Sequence, residues 1–586
     1  DGEKGGMAGE GVTAFLDYAH CWGARAGVRD NVVHTGETSI VYPAGRHLGI
    51  YNTESKEMSF LLQGENVEAI TAMAASHNRK YLGVCEQLSD GGGGQVTVYN
   101  VASEKRYRTF QHPDCKSFTA VAFSSDSKFL ATVGSAPEYL LVYWNWFQSK
   151  VVASVRVNSE VKRVSFSPLD NVQIATSGPG LLKLWRLQES NLKGFNMVSG
   201  KAASQSFTDH SWAPGDRLLA STDQGDVLVV EQGELRATVK TRMSGTSIHT
   251  IVAYSSGFIV AGSEGRMSVY EKNDAREKGE DKEPYHHFKT FKSPDAQDII
   301  SLSISHAEES LAAFFASNQV ALFPIANIDI LKEDQNQFQF VGSGFHSAQV
   351  TGLDVCVRKP LVATCGADRS VRVWNYVDKT CEVAKVFQDD LSSIAIHPSG
   401  FHILVGFSDK LRLFNVLIDD LKLFQEFPIK SCREVRFSHG GHRFAAVNIS
   451  NIVIFDTYTF QRLGVLISHT AVVKSVCWSM DDFKLVSAGI DGAVYEWSLQ
   501  GFTRTEENVT RNVHYSCVVY NEASTAVVAC GDDHKVTEFV KSSPNREIKL
   551  SGIRVTTLLL SNNDKVLFAG TTEGVVQSFL WGQEGE

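Results

Sequence analysis

A polar turn recurs every 40 to 42 residues through the second half of this chain, and that recurrence restricts the fold more than any other feature. The segments ATCGADRSVRVW, from Ala363, and VSAGIDGAVYEW, ending at Trp497, put Asp368 and Asp491 in the same frame. LVGFSDKLRLF, AAVNISNIVIF, VACGDDHKVTEF and FAGTTEGVVQSF add Asp409, Asn451, Asp533 and Glu573. Read in order, these six positions are 41, 42, 40, 42 and 40 residues apart. Every unit has the same order of parts: an alternating apolar strand, a polar turn, a second apolar strand, the acidic or small turn residue, a strand ending in an aromatic, and a polar fourth strand. No unit holds a helix-length amphipathic segment, so the pattern favours an all-β chain over an α/β one.

A repeat of this length cannot bury its apolar faces alone and must stack on copies of itself; a period near 41 with four strands is that of a WD-repeat propeller blade. Looser copies fill the first half, among them AITAMAASHNRKYLGV, FTAVAFSSDSKFLATVG, VKRVSFSPLDNVQIATSG and SIHTIVAYSSGFIVAGSEGRMSVY. About seven units precede residue 341 and about six follow it. One ring closes at roughly four to eight blades. The expected fold is therefore two tandem WD40-type β-propellers, about seven blades in the first and six to seven in the second. The expected boundaries are an N-terminal segment 1–31 available to complete a blade, a first propeller 32–343 and a second 344–586. The second ring counts one blade short, to be closed either by a blade downstream or by strands from the segment through Asn31.

The two best units carry a histidine, a hydroxyl and an aspartate at matched spacing. His346 to Asp368 and His469 to Asp491 are each 22 residues; Thr364 and Ser487 lie four before their aspartate, Trp374 and Trp497 six after. Such residues can form a nucleophilic triad, but a triad needs one nucleophile in a cleft beside an oxyanion site. A copy 123 residues further on in the same context belongs to a repeated scaffold. The sets resemble the His, Ser/Thr, Asp and Trp set of WD repeats, which implies a hydrogen-bonded chain locking the turns, since buried polar groups must be paired. No catalytic residue is expected. Phe414, Phe539 and Phe579 keep an aromatic where the tryptophan is missing.

Other features yield bland readings. GGGGQV at 91 lacks the GK[ST] ending of a phosphate loop. Asp419 and Asp420 are followed by Lys422, as in a polar corner between strands. His286 and His287 are adjacent and face opposite sides of an extended segment, so no metal or cofactor is expected. The charged insert from Lys272 to Gln297 reads as a solvated loop; a second reading makes it a partner-contact loop presenting Phe288, Lys289, Phe291 and Lys292 to an acidic surface such as tubulin.

A net charge of −10 argues against a general nucleic-acid binder, which needs a concentrated basic surface. No apolar run approaches the roughly 20 residues that span a bilayer, so no membrane partner is expected. The N-terminal DGEKGGMAGEG has no apolar stretch of the signal-peptide kind. Ten scattered cysteines without a CxxC pair fit reduced thiols.

RKPLVATC, IDDLK, VYWNW and FSHGGHRFAAVN, with the repeats around them, resemble the cilia- and flagella-associated protein 57 family of WD-repeat axonemal proteins. LDYAHCWGARAGVRDN, from Leu16, resembles the entry segment of the echinoderm microtubule-associated proteins, whose tandem propellers bind tubulin. These resemblances imply a non-enzymatic scaffold in the cytoskeleton of the cilium or flagellum. Its implied partners are axonemal proteins, tubulin and inner dynein arm subunits among them. The ciliary family continues into a coiled coil, absent here, through which a full-length protein would oligomerise. A cytoplasmic microtubule-binding protein and, from a different class, a propeller hydrolase are the alternatives.

Overall fold

A computed structural model describes residues 17–64, 66–89, 91, 93–273, 284–550, 552–561 and 563–581. The chain forms two compact units, one from Tyr18 to Ser347 and one from Ala348 onward with which Asp17 is grouped. Among the described residues the first unit holds seven four-stranded antiparallel sheets, at 33–61, 67–111, 118–156, 163–196, 207–240, 248–292 and 299–340. The second holds five four-stranded sheets, at 350–386, 391–427, 435–466, 473–509 and 515–549, and a three-stranded one at 555–580. In every sheet consecutive strands pair, so each 40-residue unit is one blade.

The core is distributed between blades. Each apolar cluster joins one sheet to the next, as where Ala363, Cys365, Val371 and Val373 pack on Leu391, Ile394 and Ile396. A middle blade therefore buries both faces, which is why its strands read as near-continuous apolar runs, as in LLVYW from Leu140.

The first ring closes on itself. Val32, Ile40 and Tyr42 of its opening segment share a cluster with Ala312, Phe314 and Val320 of the seventh sheet. The His34 backbone N–H donates to Ser303 Oγ at 2.9 Å, and Arg79 donates to the His34 carbonyl at 2.6 Å. Residues 18–31 lie on this ring: Arg25 N–H bonds the Pro43 carbonyl, Ala26 N–H bonds Asn318, and Arg29 bridges Ala72.

Two irregularities repeat from blade to blade. One is a register shift near the start of the innermost strand, as between Val473 and Ser475. The other falls immediately before the aromatic of the third strand, at Trp374, Phe414, Phe455, Trp497 and Phe539 in the second ring and at Trp144 in the first. A bulge bends its strand and re-aims the side chain beside it. Trp374, Trp497 and Trp144 are all buried as a result.

One expectation is corrected. Phe288, Lys289, Phe291 and Lys292 are not on a contact loop but in the strand Tyr285–Lys292, the outer strand of the sixth sheet. Phe291 is buried and meets Phe323 edge-on at 4.8 Å, and Phe288 packs on the same cluster. Lys289 Nζ donates to the carbonyls of Ile328, Asp329 and Leu331 at 2.8 to 3.0 Å. Of the four, Lys292 alone is exposed. The strand is sandwiched, with Tyr285 in the core toward the fifth sheet and Phe291 in the core toward the seventh. Residues 274–283 of the same insert lie outside the described residues.

Candidate functional site

The fourth blade of the second ring carries a continuous polar set. Trp497 Nε1 donates to Ser487 Oγ at 2.9 Å, Ser487 Oγ and His469 Nε2 are 2.8 Å apart, and His469 Nδ1 meets both Asp491 oxygens at 3.1 and 3.0 Å. An indole N–H can only donate and a carboxylate can only accept, so the proton order follows from chemistry. Ser487 receives the indole N–H and gives its own proton to His469 Nε2, which leaves Nδ1–H for Asp491. Thr470 N–H caps the carboxylate at 2.9 Å. Burial lowers the His469 pKa, with Asp491 opposing, so the ring is neutral as the chain requires. Burial raises the Asp491 pKa, but the Thr470 N–H and His469 outweigh it and hold the group below the usual carboxylate range.

In the first blade of this ring, Trp374 Nε1 donates to Thr364 Oγ1 at 2.8 Å. Asp368 lies in the turn after the strand Leu361–Gly366, and its carboxylate accepts Ser370 N–H at 3.1 Å and the Ser370 hydroxyl at 2.9 Å. His346 is half-buried in the segment before Ala348.

The first ring has the same indole-to-hydroxyl bond at places the sequence did not single out. Trp144 donates to Thr132 and Trp185 to Thr176, both at 2.9 Å. Their spacings are 12 and 9 residues against 10 in the second ring, because the turn between second and third strands varies in length. An alignment on fixed spacing passes over them.

A second polar group lies on the axis of the first ring. Arg163 pairs with Asp30 and, through Nε, with Asp209 at 3.3 Å; Arg29 reaches Asp209 at 3.6 Å. His210, fully buried, sits between Ser165 and Ser177 hydroxyls, 2.7 Å from each, and Trp212 donates to Ser165 at 2.9 Å. A cavity of about 290 Å³ is lined by Asp30, Arg79, Arg163 and Ser165. Ser165 and His210 superficially offer a nucleophile and a base. Burial, then Arg163 and Arg29, push the His210 pKa well below its ordinary value, so it is a poor base, and its other nitrogen meets a serine rather than a carboxylate.

The axis of the second ring is more apolar. A cavity of about 350 Å³ is lined by Val355, Val476, Cys477, Cys517, Val518 and Leu559 among others. Its lining also holds Asp354 and Arg436, and Arg436 donates to Asp354 at 3.0 Å and to Glu434 at 3.1 Å. Burial raises the Cys477 and Cys517 thiol pKa values, Cys477 to about 11, which keeps both protonated and unreactive at neutral pH.

One end of the second ring presents a face of turns to solvent. The turn between first and second strands and the turn between third and fourth lie at the same end of an antiparallel meander. At that end Tyr376, Val377, Phe401, Ile418, Tyr458 and Met480 are exposed across four consecutive blades. Ile418 is 94% exposed. Lys359 Nζ stands 3.7 Å over the Phe401 ring, and His439 N–H bonds Asp482 at 2.8 Å, so neighbouring turns brace one another. Exposed apolar side chains grouped on one face mark interaction surfaces.

Blades of four strands, stacked in rings and pinned by indole-to-hydroxyl bonds, define a WD-repeat protein of tandem β-propellers. The WD domain, G-beta repeat family model matches residues 338–375 and 460–498. Along 97% of its length the chain is similar to cilia- and flagella-associated protein 57 of Mus musculus, with 34% identity over 50% of that protein. Cilia- and flagella-associated protein 57 A of Tetrahymena thermophila is 27% identical over 82% of this chain and 42% of its own length. Echinoderm microtubule-associated protein-like 1 of Mus musculus is 21% identical over 65% of this chain and 46% of its own. The chain thus spans about half the length of the curated relatives it matches.

Proposed function

We propose that the chain is the propeller part of a non-enzymatic scaffold of motile cilia or flagella. It holds protein–protein contacts on the microtubule doublet that serve the assembly or positioning of inner dynein arms. The observation that carries this reading is the similarity, along nearly the whole chain, to proteins named for cilia and flagella. The site chemistry supports it. The polar set of Trp497, Ser487, His469 and Asp491 is buried inside its blade and uses its protons on one another, while apolar turn residues such as Ile418 and Tyr458 are open to solvent. A contact surface for axonemal proteins needs that arrangement and no turnover.

Tagging the full-length protein in ciliated cells tests the reading. Signal along the axoneme, with inner-arm subunits depleted when the gene is removed, is the expected result. A non-ciliary location, or unchanged inner arms, overturns it.

The similarity to an echinoderm microtubule-associated protein-like chain favours a second reading, direct binding to tubulin. Co-sedimentation of the full-length protein with purified microtubules in the absence of other axonemal proteins separates the two.

A further inference from the structure

The outer strands of the second and third sheets of the first ring, Lys105–Gln111 and Lys150–Arg156, have the sequences KRYRTFQ and KVVASVR. Lys105, Arg106 and Arg108 are exposed on the one, Lys150 and Arg156 on the other, and neither strand holds an acid. The turns beside them add Lys80 and Lys128, both exposed. Pairing brings the four lysines to one end of the two sheets: Lys105 lies across Asn100 from Tyr81, next to Lys80, and Lys150 lies across Asn145 from Phe129, next to Lys128. In a chain of net charge −10 this is a local reversal of sign.

The lysines surround an aromatic bridge between the two sheets. Trp146 is buried, its Nε1 donating to the Ser127 carbonyl at 2.9 Å, and Phe147 stacks on it at 4.0 Å. Tyr81 and Tyr107 of the second sheet meet the Trp146 ring edge-on at 4.9 and 5.9 Å. Tyr107 and Phe147, 6.4 Å apart, stay 47% and 38% exposed, and the Arg108 guanidinium stands 5.9 Å over the Tyr107 ring.

Among the described residues, Lys80, Lys105, Arg108, Lys128 and Lys150 have no ion pair. The acids of the adjoining turns, Glu104 and Asp126, are held by hydroxyls instead: Ser59 donates to Glu104 at 2.6 Å and Ser124 to Asp126 at 2.6 Å, with the Lys128 N–H on Asp126 at 3.0 Å. Lysine on an edge strand discourages sheet-to-sheet pairing, but Lys80 and Lys128 stand in turns and guard no edge. Like charges gathered on one surface repel one another, and exposed aromatic area is costly in water. A segment carrying carboxylates beside an apolar side chain relieves both.

We propose that this patch, on the rim shared by the second and third sheets of the first ring, is a docking surface for an acidic polypeptide segment. Glutamate or aspartate carboxylates meet Lys80, Lys105, Lys128 and Lys150, and an apolar or aromatic side chain of the same segment lies against Tyr107 and Phe147. The patch fits a peptide better than a nucleic acid. Surface potentials fade within about 8 Å at physiological salt, so a short segment senses the patch alone, whereas a long polyanion also meets the acidic remainder of the chain. One face of Phe147 is taken by Trp146 and Arg108 stands over Tyr107, which leaves few ring faces for a base to stack on.

Fluorescence anisotropy of a fluorescein-labelled glutamate-rich peptide with one central phenylalanine, titrated with the full-length protein, tests the proposal. The expected result is saturable binding that weakens about ten-fold in Lys105→Glu/Lys150→Glu protein, is kept in Lys105→Arg/Lys150→Arg protein, and is unchanged by Lys292→Glu on the outer strand of the sixth sheet. All three altered positions are exposed, so the melting temperature stays that of the unaltered protein. No binding of the peptide, or equal binding by the Lys105→Glu/Lys150→Glu protein, overturns the docking surface. A single-stranded oligonucleotide that binds more tightly than the peptide, through the same lysines, overturns the assignment of a polypeptide partner.

Discussion

His469 Nδ1 stands 3.1 and 3.0 Å from the two carboxylate oxygens of Asp491, and this pair ends a chain that begins at the Trp497 indole. The chain ties the turn before the innermost strand to the turn between the second and third strands of one blade. Its removal should therefore cost stability.

Ser487→Ala strands the Trp497 N–H and His469 Nε2 together, each in a site closed to water. A buried polar group without a partner costs about 1–3 kcal/mol. Denaturant titration should show the second ring unfolding earlier, with Ser487→Thr restoring most of the loss. Unchanged stability would remove the architectural role from this set.

Acid should loosen the first ring. Burial, then Arg79, lower the His34 pKa from its ordinary 6.5 to about 4, against a raising contribution from Glu37. The unfolded chain binds this proton below 6.5 while the folded chain resists it until about 4, so the stabilising contribution is full above 6.5 and is lost between those limits. A shift of this size corresponds to about 3 kcal/mol at most. Thermal scans between pH 7 and 4.5 should show a falling Tm, and His34→Gln should flatten the fall.

The strand at 285–292 separates packing from contact. Phe291→Ala should destabilise by about 3–5 kcal/mol, the usual cost of emptying a buried aromatic site. Lys292→Ala should be near neutral by the same denaturation measurement. A stable Phe291→Ala protein that loses a partner would restore the contact reading.

How much of this was legible from the sequence differs by element. The period is legible because the turn residues from Asp368 to Glu573 are polar in an apolar surround, and a 22-residue spacing brings His469 to Asp491. The strand at 285–292 is not, because a blade between two others buries both faces and leaves YHHFKTFK without alternation; a bulge opposite Val269 and Tyr270 shifts it further. The axial group of Arg29, Asp30, Arg163 and Asp209 is also hidden, since partners up to 180 residues apart meet only when the ring closes.

Function on exposed turns, with the buried polar sets as framework, is tested most directly by Ile418→Asp in the full-length protein, measured for melting temperature and for retention in isolated axonemes. Ile418 is 94% exposed, so the account predicts an unchanged melting temperature and axonemal retention reduced several-fold. Retention equal to that of the unaltered protein, with Tyr458→Asp equally silent, would contradict it.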